Sequence, residues 1–445
     1  MSTSAAQPNA RHAWFAVAMV FLFMLINFAD KAVIGLSGPA IMKELGLTPT
    51  RFGLLGSAFF WLFALSGVIG GFIANRVSTR RLMLTLSAIW SVSLLPMSGR
   101  VGFPVLLGSR VVLGAAEGPA FPLSMHAIYQ WFADRYRALP SGIVASGAAF
   151  GSGLIAPLIT WLIVSYSWHA AFAALSAAGL LWTLVWLGWG SDGPLGASGP
   201  GASGAEAGGR IAQQARVPYR RLLLTPTALG VFIAGFAAYW LIALNLVWLA
   251  SFLIKSMQLA PSAAAWVIAL PSAMQIVLGI GLGWLSQRLT RAGYSSRLAR
   301  GMLGCLCVIT AGALTAGLPL VPQNALRIAI IGVAFSIGNV IFVLGSTLIA
   351  EICPGSQRGA LLGITNSIHT LAGLIAPLAM GMLVDAGTDP LRGFRIGFVS
   401  AGILVAALGV VAAWLIDPEA DILRLHPLHA SVTSSARFHR RHEQA

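Results

Sequence analysis

Apolar positions along this chain come in long unbroken runs, not in alternating or heptad patterns. A helix needs about 20 such residues to cross a bilayer. The runs predict helices over 13–37, 50–74, 82–100, 103–131, 138–164 and 168–189. A second set follows over 225–254, 262–288, 298–318, 325–350, 359–384 and 393–416. Backbone groups in lipid must be satisfied within their own segment, so these runs read as helices. The short alternating strands of a membrane barrel are not present. The expected fold is an all-α membrane protein of twelve transmembrane helices in two bundles of six.

Between the two sets lies GPLGASGPGASGAEAGG, which has nothing to bury and reads as a flexible linker. The expected layout is therefore a six-helix bundle at 1–190, a linker at 191–221, a second bundle at 222–417 and a polar tail at 418–445. The tail is rich in Arg and His and is expected to be disordered. The first apolar stretch, from Trp14 to about Leu36, is too long for a signal-peptide core and reads as a retained helix.

Composition agrees. The chain is 57% hydrophobic and 9% charged, against about a quarter charged residues in soluble domains. A net charge of +15 would suit nucleic acid, but its placement points elsewhere. With the N-terminus inside, one side holds only Lys43, Arg51, Arg100, Lys255, Arg327, Arg392 and Arg395. Most of the other Lys and Arg residues, from Arg11 and Arg80 through Arg288 to Arg441, fall on the opposite side. This is the positive-inside bias. It is expected to place both termini in the cytoplasm and makes lipid, not nucleic acid, the partner; the expected location is a bacterial inner membrane. Cys305, Cys307 and Cys353 imply no disulfide framework. There is no phosphate-cradling loop, metal-ligand spacing or nucleophile–base set, so no enzyme activity, metal or cofactor is expected, and an ion gradient must supply the energy.

Ionisable residues inside spans cost about 2.5–3.5 kcal/mol each at a helix centre and default to functional candidates. Asp30 and Lys31 lie in the first span, Arg110 and Glu117 in the fourth. At about 1.5 Å per residue, Asp30 is roughly 24 Å above the inner end of its span, Glu117 roughly 21 Å and Arg110 roughly 32 Å. Arg110 and Glu117 are two turns apart on one helix face. Two acids and two bases at one level sum to zero, which lowers the cost of burial. They read either as a structural ion-pair network or as a site where a carboxylate exchanges a proton and the bases receive an anion. Neutral candidates in the second half are Tyr239, Asn245, Gln275, Asn339, Asn366 and His369, each suited to a helix–helix hydrogen bond or a ligand contact. Trp240, Trp248 and Tyr239 would suit an aromatic acid, although aromatic residues also belt membrane interfaces.

An internal echo joins the halves. Gly70-Gly71-Phe72-Ile73-Ala74-Asn75-Arg76 with Arg80 and Arg81 matches Gly281-Leu282-Gly283-Trp284-Leu285-Ser286-Gln287-Arg288 with Arg291. It resembles the loop signature of the major facilitator superfamily, with Asn75 where the usual Asp stands. Arg76, Arg80 and Arg288, together with Glu351 and Arg358 around the loop between spans ten and eleven, are the gating candidates. Asn27-Phe28-Ala29-Asp30-Lys31 and Arg110-Val-Val-Leu-Gly114-Ala-Ala-Glu117-Gly118-Pro119-Ala-Phe121-Pro122 resemble the anion:cation symporter family of that superfamily. The likeness continues through Ser146-Gly147, Trp248-Leu249, Arg358-Gly359, Asn366 and Pro377.

The resemblance implies that Asp30 and Glu117 are the protonated carboxylates, and that Arg110, paired with Glu117, binds the anion. Lys31, Asn366 and Tyr239 join the substrate site, and His126 joins a proton path or packs as an inner-cavity histidine. Lys31 departs from the family's Arg, giving a point charge for a planar fork. Ala148 stands where some sugar-acid permeases carry a polar side chain. Gly151-Ser-Gly-Leu-Ile-Ala-Pro157 lacks the drug-efflux signature. The expected function is proton-coupled uptake of an organic carboxylate by alternating access in a monomer, with sodium also compatible with these residues. An exporter or anion antiporter of the same fold, and more remotely a non-transporting sensor, are the alternatives.

Overall fold

A computed structural model describes residues 10–74, 77–133, 136–195, 217–354, 357–387 and 389–425. Secondary structure among these residues is helical throughout. Among the described residues, eleven helices are long and apolar enough to cross a membrane: Ala10–Leu36, Pro49–Gly70, Thr79–Ser98, Leu139–Ser165, Trp168–Trp189, Pro226–Lys255, Pro261–Arg291, Arg297–Leu320, Asn324–Ile352, Arg358–Asp385 and Leu391–Leu415. Each occupies a span predicted from hydrophobicity, and each keeps that span's ordinal below. Starts are set by polar caps that apolar runs do not register. Ser78, Ser167, Thr225 and Asp389 each accept a hydrogen bond from a backbone amide three residues on.

The predicted fourth span differs. It is laid down as Phe103–Glu117 and then Ala120–Tyr129, broken at Gly118-Pro119. Proline offers no amide hydrogen to the helical ladder. Here its ring presses on Gly70 of the second span, while Gly118 lies against the Phe63 carbonyl. Spans two and four touch closely through the break, and one turn earlier Gly114 lies still closer against the Phe59 carbonyl.

Spans one and seven are 72% buried over their apolar windows, against 33–61% for the others. They therefore run through the centre, which explains why they are apolar all round instead of amphipathic. The two halves meet at the end remote from the described chain ends. Gly35 lies against the Leu246 backbone, Gly53 against Pro377 and Gly381 against Pro49. Thr50 Oγ1 donates to Asp385 Oδ2 at 2.5 Å, and Leu378 N donates to Ser57 Oγ at 3.2 Å. At the opposite end, a Cβ added at Gly142, Gly281, Gly283, Gly359 or Gly363 would meet nothing within 4 Å. The closest backbone contacts between the halves thus gather at the first, zipped end.

That other end is held within each half. Arg80 N donates to Asp192 Oδ1 at 2.8 Å, tying the start of the third span to the chain after the sixth. In the second half Arg297 N donates to Glu419 Oε1 at 3.3 Å, tying the start of the ninth span to the chain after the twelfth. Glu419 sits in a helix, Pro418–Leu425, whose Asp421 accepts from Thr227 N at 2.8 Å. The expected disorder from 418 onward is therefore corrected for these eight residues, because buried Asp421 docks them on the seventh span. The tail beyond 425 lies outside the described residues, as does linker segment 196–216. The end of the predicted linker is ordered: Tyr219–Leu223 is helical, and Val217 and Gln357 exchange two hydrogen bonds of 3.0 and 2.7 Å.

Candidate functional site

The structure brings the four intramembrane charges together. Asp30, Lys31, Arg110 and Glu117 are all nearly solvent-free, at 0%, 4%, 3% and 1% exposure. Their pairing differs from the one implied by family resemblance. Lys31 Nζ, not Arg110, meets Glu117, at 3.0 Å from Oε2. Lys31 also donates to Asn27 Oδ1, one turn back on the same helix. Arg110 Nη1 donates to the backbone carbonyl of Asp30 at 3.3 Å. The reason is reach: a flexible lysine stem can swing to the neighbouring helix, while the guanidinium is held over Phe59, 5.0 Å from its centroid.

Two features mark the site as under-satisfied. Both Asp30 carboxylate oxygens lack a hydrogen-bond partner, as do Arg110 Nε and Asn27 Nδ2. Buried polar groups are normally paired, so such a cluster has unused capacity to bind. The cations are also bedded on rings, with Lys31 Nζ 4.1 Å from the Phe28 centroid and 5.3 Å from that of Phe63. Sequence reading placed Asn27 and Phe28 in the first-span motif without giving either a role, and it missed Phe59 and Phe63. The i, i+4 spacings Asn27–Lys31 and Phe59–Phe63 were the available signal.

From the second half, Tyr239 reaches the same region. Its ring stands edge-on to Phe60 at 5.8 Å and to Phe342 at 6.3 Å. Trp248 and Trp240 do not join it. Trp248 is fully buried and donates to the Pro377 carbonyl at 2.9 Å, and Trp240 packs on Phe236. Asn366 is exposed and no hydrogen bond from it is described. His126 is likewise exposed and contacts Gln130 at 3.2 Å, so the structure does not join it to the quartet.

The gating candidates are distributed differently from expectation. Arg76 lies outside the described residues. Arg80 serves the intra-half tie above and donates from Nη2 to the Leu187 carbonyl at 2.6 Å. Arg288 stacks on Trp284 of its own helix at 5.3 Å. Glu351 is paired with Arg300 and accepts from Ser296 Oγ at 2.6 Å. Arg358 opens the eleventh span, exposed. The inter-half contact that sequence reading missed is Thr50–Asp385, at the zipped end.

No group of three or more metal-ligating side chains occurs among the described residues. What the quartet can do chemically is hold an anion against two cations and exchange a proton on a carboxylate.

The family model described as Major Facilitator Superfamily matches residues 20–340 and, in a second overlapping match, 231–442. The chain is 26% identical over 429 residues to the "D-galactonate transporter" of Escherichia coli O6:H1, covering 92% of this chain and 96% of that one. It is 28% identical over 422 residues to the "Probable galactarate/D-glucarate transporter" of Bacillus subtilis, covering 89% and 90%. Among solved structures, a bacterial homolog to the human lysosomal transporter Spinster superposes with a TM-score of 0.76 at 19% identity, covering 92% of this chain and 98% of that one.

Proposed function

This chain belongs to the Major Facilitator Superfamily, and we propose that it is a proton-coupled symporter that takes up a small organic carboxylate. In this reading the six predicted spans on each side of the linker form two bundles, with both termini in the cytoplasm of a bacterial inner membrane. The bundles rock about the buried quartet. The zipped end faces outward and the opposite end faces the cytoplasm. One chain suffices, because the site lies within it.

The observation that carries the proposal is the Lys31–Glu117 pair beside an unpartnered Asp30 carboxylate and Arg110. With both acids ionised, the quartet is neutral and Glu117 occupies Lys31. A proton on Glu117 releases Lys31 and leaves the site with one excess positive charge. A carboxylate bound by Lys31 and Arg110 restores neutrality. The empty site and the doubly loaded site can therefore be closed off from water, while either half-loaded site carries an unbalanced buried charge that opposes closure. Coupling follows from that charge arithmetic. The carboxylate cargo is supported by the cargoes named for the two relatives, galactonate and galactarate or D-glucarate, all of them sugar acids.

The test is Glu117→Gln in proteoliposomes. The expected variant still exchanges labelled carboxylate across the membrane but no longer accumulates it under an inward proton gradient. Accumulation equal to the parent protein would overturn the role of Glu117. Uptake that requires internal anion would replace symport with antiport, and an outward preference would replace import with export.

A further inference from the structure

We infer that the acid carried has a planar aromatic body, and that Tyr239 and Phe342 are the residues that select it. The inference rests on the carboxylate reading above and narrows it.

The charged groups lie at one end of a continuous run of rings that crosses between the halves. Lys31 Nζ lies over Phe28 and Phe63, and Arg110 over Phe59. Phe60 meets Phe63 at 5.9 Å and Tyr239 at 5.8 Å, and Tyr239 meets Phe342 at 6.3 Å. Phe28, Phe63, Tyr239 and Phe342 are only half-buried, so each keeps free surface. Edge-on rings about 6 Å apart present both faces and edges to a flat guest, the geometry aromatic pairs prefer.

Several polar groups of the second half are, by contrast, already engaged as donors. Asn339 Nδ2 donates to Gln275 Oε1 at 2.9 Å, and His369 Nε2 lies 3.2 Å from the Val231 carbonyl. Ser346 Oγ donates to the Phe342 carbonyl at 2.5 Å, and Thr365 Oγ1 to the Leu361 carbonyl at 2.8 Å. Asn245 Oδ1 and Ser251 Oγ are buried without a partner, and no hydrogen bond is described for the Tyr239 hydroxyl or the exposed Asn366. A site for a polyhydroxy acid has to offer each hydroxyl a partner, since an unmatched buried hydroxyl costs about 1–3 kcal/mol. This wall offers rings instead.

The test uses purified full-length protein and three probes: 4-hydroxybenzoate, galactonate and propionate. The readout is the concentration giving a half-maximal rise in melting temperature. The expected result is half-saturation by 4-hydroxybenzoate at a concentration about tenfold or more below that of either other acid. Tyr239→Leu and Phe342→Leu nearly preserve volume, and each is expected to raise the 4-hydroxybenzoate value several-fold while moving propionate less than about twofold. Melting without ligand establishes that each variant is folded. Stabilisation by galactonate or propionate at equal or lower concentration overturns the aromatic inference and leaves the carboxylate reading intact. No stabilisation by any of the three overturns both.

Discussion

Glu117 of the fourth span is bound to Lys31 of the first, with Nζ and Oε2 3.0 Å apart, while Arg110 on Glu117's own helix face turns to the Asp30 carbonyl. Two helices are thus joined by one fully buried ion pair. Removing one member of such a pair costs about 3–5 kcal/mol, because the other charge is left alone in a low dielectric. Lys31→Gln should therefore destabilise strongly in thermal melts of purified protein. Lys31→Gln combined with Glu117→Gln should recover most of that loss. Additive destabilisation in the double variant would show that the two side chains do not act as a pair.

Asp30 makes the opposite case. Its carboxylate is buried without a partner, so neutralising it removes a cost of burial instead of a bond. Asp30→Asn breaks no hydrogen bond but leaves the quartet one charge positive, so it is expected to melt within about 1 kcal/mol of the parent while changing the pH dependence of uptake. A fall in stability of more than about 1 kcal/mol would mean that the carboxylate has a partner in the folded protein.

Closure of the zipped end depends on backbone contact at glycine. A Cβ at Gly53 would collide with the Pro377 backbone, and one at Gly381 with that of Pro49. Gly53→Val should hold that end apart, which spectroscopic distances between probes on spans two and eleven would register as a shift toward the separated state. Thr50→Val removes the side-chain hydrogen bond to Asp385 but keeps the 3.2 Å bond from Thr50 N, and should shift the same equilibrium less, by about 1 kcal/mol. Unchanged distances in Gly53→Val would mean that the contact is not required for closure.

A clasp at the same end should respond to pH. Glu44, which lies outside the spans, accepts from Trp168 Nε1 at 2.6 Å and contacts His169 Nε2 at 3.0 Å, while His169 Nδ1 faces the Met97 carbonyl at 2.8 Å. The hydrogen bonds from His169 and then Trp168 hold the Glu44 carboxyl below its ordinary value. A group lowered on folding stabilises above its unfolded value and loses that contribution as pH falls through its folded value. Glu44→Gln should therefore melt slightly below the parent near neutral pH, with the gap closing below about pH 4. A gap that widens with acid would reverse the sign assigned to Glu44.

Much of the fold was legible along the chain. Runs of apolar residues long enough for a bilayer admit only helices there, because lipid offers backbone groups no partners. The burial cost of charge likewise singled out Asp30, Lys31, Arg110 and Glu117, since such residues in a span require a compensating reason. Depth along two antiparallel helices placed them at one level, and the structure joins them. Less legible was the break at Gly118-Pro119, where the close approach of span two, not local propensity, fits the proline. The ordered helix 418–425 was missed for a similar reason: its anchor is Asp421 on Thr227, nearly two hundred positions away in sequence.

The sequence by itself determined the all-helical, lipid-spanning class, the places of the eleven long apolar helices, and which four charges had to be buried together. Only the tertiary structure decided who pairs with whom, because partner choice depends on side-chain reach and on the rings beneath each cation, and neither is written in spacing along one helix. It also decided that Arg80 and Glu351 brace their own halves while Thr50 and Asp385 join the two, since contacts between distant spans follow from packing geometry and leave no periodic trace in the chain.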